Sequence, residues 1–340
     1  MRRAPSLCIV RGAPMALLLG VACSGQHAPL VARTAYEQTY FRASHNWEFR
    51  ARYESADRLF NAFDYGHAIL YETLLLHPAD AAQRLEGREL SFITGRVLRR
   101  PPAVPLDEHA IGPRYATLVP EVVAIFEWTH MLHRQIYDVW ADEWIGPAQK
   151  DAEVHALLRY YGSRKDLALS AQPKSMELME GQPYSLSFRG ESPKFNGLIW
   201  SYHWLQMALY DALILEPDAV ERHAQVDSTL ARFWAMLASP PASMPAVMPM
   251  SAAVAPAFST RYPEAAIIFD NLHSLHDVVA DVLASPKVPR SQKRPVILAA
   301  AARYRDDTTA VTSREEWLQM SRAMGADRMG GVAVPNVRKP

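Results

Sequence analysis

Cysteine is nearly missing from this chain: among 340 residues only Cys8 and Cys23 occur. Whatever folds after them has no internal disulfide and no structural cysteine–zinc site. With no Cys-x-x-Cys-His anywhere, it has no covalent c-type haem either. Charge imbalance is also missing, since 36 basic residues face 36 acidic ones. Arg2, Arg3 and Arg11 carry all the charge of the first 22 residues, so the remainder holds 33 basic and 36 acidic residues. That leaves no positive excess to hold a nucleic acid. After residue 26 no apolar run is long enough for a membrane-spanning helix. There is no Gly-rich phosphate loop, no Gly-x-Ser-x-Gly elbow and no identifiable Ser or Cys nucleophile. No sustained apolar–polar alternation marks a strand. Hydrophobic residues make up 49% and charged residues 21%, enough for a substantial core. The expected class is all-α, a multi-helix domain built around a four-helix bundle with flanking helices.

Residues 1–26 read as an export signal. Arginines come first, then the apolar run Met15 to Ala22, which is too short to cross a bilayer as a stable helix. Its end, Val21-Ala22 before Cys23, resembles a bacterial lipoprotein cleavage box, with Gly20 where such boxes usually carry Leu. The resemblance implies lipidation of Cys23, a lipid anchor in the membrane, and a place on the periplasmic side of a bacterial cell envelope. Ordinary signal cleavage nearby is the alternative.

Residues 27–54 form an aromatic-rich tether and the start of a helix, with Tyr36, Tyr40, Phe41, Trp47, Phe49 and Tyr53. Helical spacing of apolar residues predicts a bundle domain over 55–284. Its helices lie near 55–76, 79–98, 118–145, 150–161, 197–215, 218–237 and 263–283. The proline-rich stretch 99–120 reads as a surface loop, 163–196 as irregular, and the Pro/Met-rich stretch 239–259 as a linker or extended loop. Residues 285–340 carry two shorter helices, near 294–305 and 313–324, and a Gly/Pro tail.

One helical phrase is written four times. Ile125-Phe126-Glu127-Trp128-Thr129-His130-Met131-Leu132-His133 matches Ile267-Ile268-Phe269-Asp270-Asn271-Leu272-His273-Ser274-Leu275-His276 in the pattern Ile-Phe-acid-x-x-His-x-Leu-His. The stretch His203 to Asp211 repeats the later part, His-x-Leu-Gln-x-x-apolar-Tyr-Asp, and Phe63-Asp64-Tyr65-Gly66-His67 is a worn fourth copy. Residues three apart on a helix share a face, so an acid and a histidine at that spacing can grip one ion. Asp64/His67, Glu127/His130 and Asp270/His273 have it. The motif resembles the Glu-x-x-His of ferritin-like di-iron bundles. This chain departs from them in its extra histidines, in aspartate for glutamate, and in Trp200 three residues before His203.

A helical wheel, at about 100° per residue, turns His67, His133, His203 and His276 toward the apolar face. The acids Asp64, Glu127 and Asp270 rotate off it. They are expected in solvent unless further helices cover them, with Glu127 able to pair with Arg134. Histidine plus carboxylate suits a transition metal, with iron or copper favoured. Met244, Met248 and Met250 could offer thioethers to Cu(I), and non-covalent haem between two histidines is a further possibility. The expected function is therefore an exported helical-bundle metalloprotein with a redox di-iron or copper site. Its ligand candidates are His67, His130, His133, His203, His273 and His276, with Asp64, Glu127 and Asp270 bridging metals or orienting imidazoles. The rivals are a non-enzymatic metal or haem carrier, and a structural or accessory lipoprotein that docks on a membrane complex, with a protein partner there, through an exposed aromatic patch between Tyr36 and Tyr53. The bland alternative is a helix-pair duplication whose histidines hydrogen-bond across the core.

Overall fold

Three of the four phrase helices begin on a proline. Its ring presets a helical backbone angle, and its missing N–H is one the first turn leaves unused anyway. The four helices are α1 (Glu54–Leu76), α2 (Pro120–Ala141), α3 (Pro193–Ile214) and α4 (Pro263–Ala284). The computed structural model describes residues 34–77 and 79–324. The expected export signal, Cys23 and the Gly/Pro tail after residue 324 lie outside them. All-α holds: among the described residues there is no strand, and one isolated β-bridge joins Lys174 to Val311. No helix there is long and apolar enough to cross a membrane.

Helices α1 and α2 each pack against both α3 and α4, closing a ring of contacts around a shared interior. Further helices cover the outside. Pro147–Ser163 lies on α2 and Arg290–Arg305 on α4. This second layer explains why the wheel misplaced several groups. Faces that a bare bundle would give to water are covered, and Asp64 and Asp270 are buried.

The four helices share one register. Counting from the first residue of each as zero, position 10 holds Asp64, His130, His203 and His273, and position 13 holds His67, His133, Gln206 and His276. Position 17 holds Tyr71, Tyr137, Tyr210 and Ala280. Position 18 holds Glu72, Asp138, Asp211 and Asp281. The first phrase is therefore shifted by one turn from its expected alignment: His67 is the counterpart of His133 and His276, not of His130.

The acids at position 18 have a common task. Each accepts backbone N–H bonds at the start of a short helix that leads into another phrase helix, where unpaired donors and the helix dipole favour a carboxylate. Glu72 accepts from Tyr115 N at 2.8 Å, ahead of α2, and Asp138 from Phe49 N at 2.9 Å, ahead of α1. Asp211 accepts from Phe258 N at 2.8 Å, ahead of α4, and Asp281 from Phe188 N at 2.7 Å, ahead of α3. Thus α1 and α2 cap each other's entry, and so do α3 and α4.

Three segments differ from expectation. The aromatics between Tyr36 and Tyr53 do not form an exposed patch. Tyr40, Phe49 and Tyr53 are buried, and the segment is fastened to α2 by Phe41 N to Gln135 Oε1 at 2.9 Å and by the Asp138 bond. The stretch 99–120 holds two short helices, Glu108–Ile111 and Pro113–Leu118, with Tyr115 and Val119 in the core. The Pro/Met-rich stretch folds against the core rather than linking two parts. Met244, Met248 and Met250 are buried, Met244 fits the gap left by Gly197, and the helices Ser251–Val254 and Pro256–Arg261 follow.

Candidate metal centre

The polar layers at positions 10 and 13 bring six histidines into one buried cluster. His133, His203 and His273 are wholly buried, and His67, His130 and His276 nearly so. His203 stacks on His273 at 4.0 Å between ring centroids, and His67 lies 4.6 Å from His276 and 5.4 Å from His203. His130 is 5.3 Å from His276, and His133 is 5.9 Å from His273. Gly66 helps α1 approach α3, because a Cβ there would come within 2.8 Å of the Tyr202 ring.

Within this cluster His67, His203 and His276 each offer a ring nitrogen, all within 4.8 Å of one another. They come from three different helices, and together they could hold a transition-metal ion. His67 Nδ1 donates to Phe63 O at 2.9 Å, which leaves Nε2 with its lone pair and no hydrogen-bond partner. A backbone tether on one nitrogen commonly fixes the tautomer of a metal-binding histidine. His203 Nε2 and His276 Nδ1 lie 3.1 Å apart, and His203 Nδ1 is unpartnered. Burial pushes the His67 imidazole down to about 4 and holds His203 and His276 well below the usual histidine range. All three are therefore neutral at pH 7, the form that binds a metal.

The other histidine candidates surround this group. His130 Nδ1 lies 3.4 Å from Asp64 Oδ1, and its Nε2 is unpartnered. Burial lowers its pKa to about 3, with Arg134 acting in the same direction. His133 Nδ1 meets the Tyr210 hydroxyl at 2.8 Å, and both nitrogens of His273 lack a partner.

The carboxylates are placed differently from expectation. Asp64 is bound by Arg134 at 3.0 Å, within a buried chain that runs through Asp57 and Arg50 to Glu37. Arg134 is thus occupied by Asp64 and Asp57, and the expected Glu127–Arg134 pair does not form. Glu127 is half-buried, and burial raises its pKa to about 7, helped by Asp107 and Asp64. Asp270 points away from the histidines. Its oxygens accept from Ser251 N at 2.8 Å, Ser251 Oγ at 2.7 Å and Trp317 Nε1 at 2.7 Å. Asp64 alone of the three touches the histidine cluster.

Sequence reasoning passed over Gln206 as a site residue. It is wholly buried, and neither polar atom of its side chain has a partner. The signal that finds it is the Tyr-acid pair four and five residues later, shared by His67, His133 and Gln206.

Compared with known protein families, curated proteins and solved structures, the chain matches none.

Proposed function

We propose that the chain is a redox metalloprotein whose ion sits between His67, His203 and His276, with copper ahead of a di-iron pair. The observation that carries the reading is the convergence of three buried, neutral imidazoles from three helices within 4.8 Å. Di-iron chemistry relies on carboxylates to bridge and balance two multiply charged ions. Here Asp270 is committed to Ser251 and Trp317, and Glu127 is half-buried. An ion held by neutral ligands in a buried core brings its full charge with it, and the cost of that burial favours a monovalent ion such as Cu(I). Haem fits less well. The imidazoles are in ring-to-ring contact at 4.0–5.4 Å, and a porphyrin needs a slot between them. Burial of all three ligands favours electron exchange over direct binding of a large substrate.

A small cavity lined by Met176, Met248 and Met250, beside Asn271 and Ser274 of α4, favours a second reading as a copper carrier. Thioethers suit Cu(I), and fast exchange of bound copper with a chelator would favour carriage over redox work.

The test is elemental analysis and an absorption spectrum on the full chain exported from a bacterial host. Stoichiometric copper without a Soret band is expected. A folded protein that arrives metal-free and takes up neither copper nor iron refutes the proposal, as does full occupancy in a His67→Gln/His276→Gln double variant. Attachment to the bacterial envelope through a lipid on Cys23 is part of the same proposal and rests on the N-terminal pattern alone. Release of the protein from membranes by Cys23→Ser would support it.

A further inference from the structure

Exchanging α1 with α2 and α3 with α4 carries one set of contacts into another. Glu72 caps the helix ahead of α2, and its counterpart Asp138 caps the helix ahead of α1. Tyr71 donates to the backbone oxygen of His276 at 3.1 Å, and Tyr137 donates to that of Gln206. The Tyr71 and Tyr115 rings lie 4.6 Å apart, and their counterparts Tyr137 and Phe49 lie 4.8 Å apart. The correspondence extends into the histidine cluster. His67 and His203 stand 5.4 Å apart at 22°, and His133 and His273 stand 5.9 Å apart at 21°. The same exchange carries His276 into Gln206.

From this correspondence we infer that His133, His273 and Gln206 form a second position for a transition-metal ion, with two imidazole nitrogens and the Gln206 amide oxygen as ligands. The inference rests on the metal reading of the first position. Its own support is the state of the three side chains. All are wholly buried, and His133 Nε2, both nitrogens of His273 and both polar atoms of Gln206 lack partners. His133 is tethered through Nδ1 to Tyr210, as His67 is tethered through Nδ1 to Phe63. An ion bound to one nitrogen of each imidazole and to the Gln206 oxygen would give a partner to three buried atoms that otherwise have none. An amide oxygen is a weaker ligand than imidazole for such ions, so the second ion binds less tightly than the first.

Cu(I), the ion favoured at the first position, is the probe, kept reduced under anaerobic conditions. Equilibrium dialysis of the full chain followed by elemental analysis reads the number of ions bound. Two unequal equivalents are expected in the wild type. His133→Gln should lose the weaker one and keep the tighter one, and His67→Gln should lose the tighter one. Gln206→His, which recreates a third imidazole, should tighten the weaker equivalent by at least about tenfold. Gln206→Leu should abolish it. The opposite directions at one position separate binding from misfolding, and circular dichroism checks each variant. A wild type that stops at one equivalent, lost in His67→Gln, overturns this inference and leaves the first position standing. A second equivalent that survives both His133→Gln and Gln206→Leu overturns the choice of ligands. No bound copper at all removes both positions together.

Discussion

Replacing Asp270 separates the structural reading of that residue from its expected role as a ligand. In the folded chain its carboxylate joins α4 to two other segments, through Ser251 at the start of one short helix and Trp317 in the C-terminal helix Arg314–Met324. Ser251 and Trp317 are buried, so Asp270→Ala strands Ser251 N–H and Trp317 Nε1–H without water to replace the lost acceptor. The Ser251 hydroxyl keeps Ala266 O at 3.2 Å. Each of the two stranded donors costs about 1–3 kcal/mol, so the variant should lose about 2–6 kcal/mol. That is a large share of the 5–15 kcal/mol typical of a folded domain. Asp270→Asn keeps one acceptor oxygen for Ser251 and turns an amide N–H₂ toward Trp317. It should lose only the Trp317 bond, about 1–3 kcal/mol. Urea unfolding measures both losses, and metal analysis of the folded fraction measures binding. The expected pattern is lowered stability with unchanged metal content. Loss of metal from Asp270→Asn at undiminished stability would refute the reasoning and restore Asp270 as a ligand.

Metal at about 100 times its dissociation constant should stabilise the chain by about 2.7 kcal/mol, since the assembled site exists only in the folded state. Differential scanning fluorimetry with and without a chelator should show a rise of roughly 5–10 °C, and a smaller rise in His67→Gln, which keeps only the weaker position. Gly66→Ala drives a methyl group into the Tyr202 ring, 2.8 Å from its Cβ position. It should cost about 1–3 kcal/mol by urea unfolding, and a neutral result would mean that α1 and α3 are less closely apposed. Glu127 titrates near 7 in the fold because burial disfavours its charge. The folded chain therefore holds a proton that the unfolded chain has already released above about pH 4.5. The associated stability is full below that pH and is lost as pH rises through 7. Relative to wild type, Glu127→Gln should gain about 1–2 kcal/mol between pH 5 and pH 8, discounted for partial exposure. Equal gains at both pH values would show that Glu127 titrates normally.

The class and the helix positions were legible because helical periodicity over some twenty residues is a strong local signal, punctuated by Pro120, Pro263 and Gly146-Pro147. The six histidines were legible as a set because their phrases repeat. Two things were not legible. Alignment on the acid-x-x-His spacing put His67 opposite His130, since a one-turn shift preserves most apolar matches. The caps at Glu72, Asp138, Asp211 and Asp281 fix the register, and they depend on tertiary contacts. The burial of Asp64, His130, Asp270 and His273 was also hidden. A wheel treats one helix against one core, whereas Arg134 of α2 meets Asp64, Ser251 and Trp317 meet Asp270, and Pro147–Ser163 and Arg290–Arg305 pack on α2 and α4.

The residue that best separates a metal site from an ordinary core is His273. A histidine kept for packing and hydrogen bonding should have its nitrogens satisfied, and removing it should cost stability. Both nitrogens of His273 stand without a partner, while one face of the ring stacks on His203 at 4.0 Å. An unsatisfied buried polar group costs about 1–3 kcal/mol, and an apolar side chain of similar size removes that cost while keeping most of the packing. In metal-free protein, His273→Leu should therefore be as stable as wild type or gain up to about 3 kcal/mol by urea unfolding. In saturating metal the order should reverse, because the wild type draws stabilisation from an ion that the variant holds less well. A histidine serving only the core predicts a loss of stability in both conditions. Destabilisation of the metal-free variant by several kcal/mol would assign His273, and by the repeat its counterparts, to packing. Stabilisation without metal and destabilisation with it would mean that the fold gives up core stability at this position to keep a ligand.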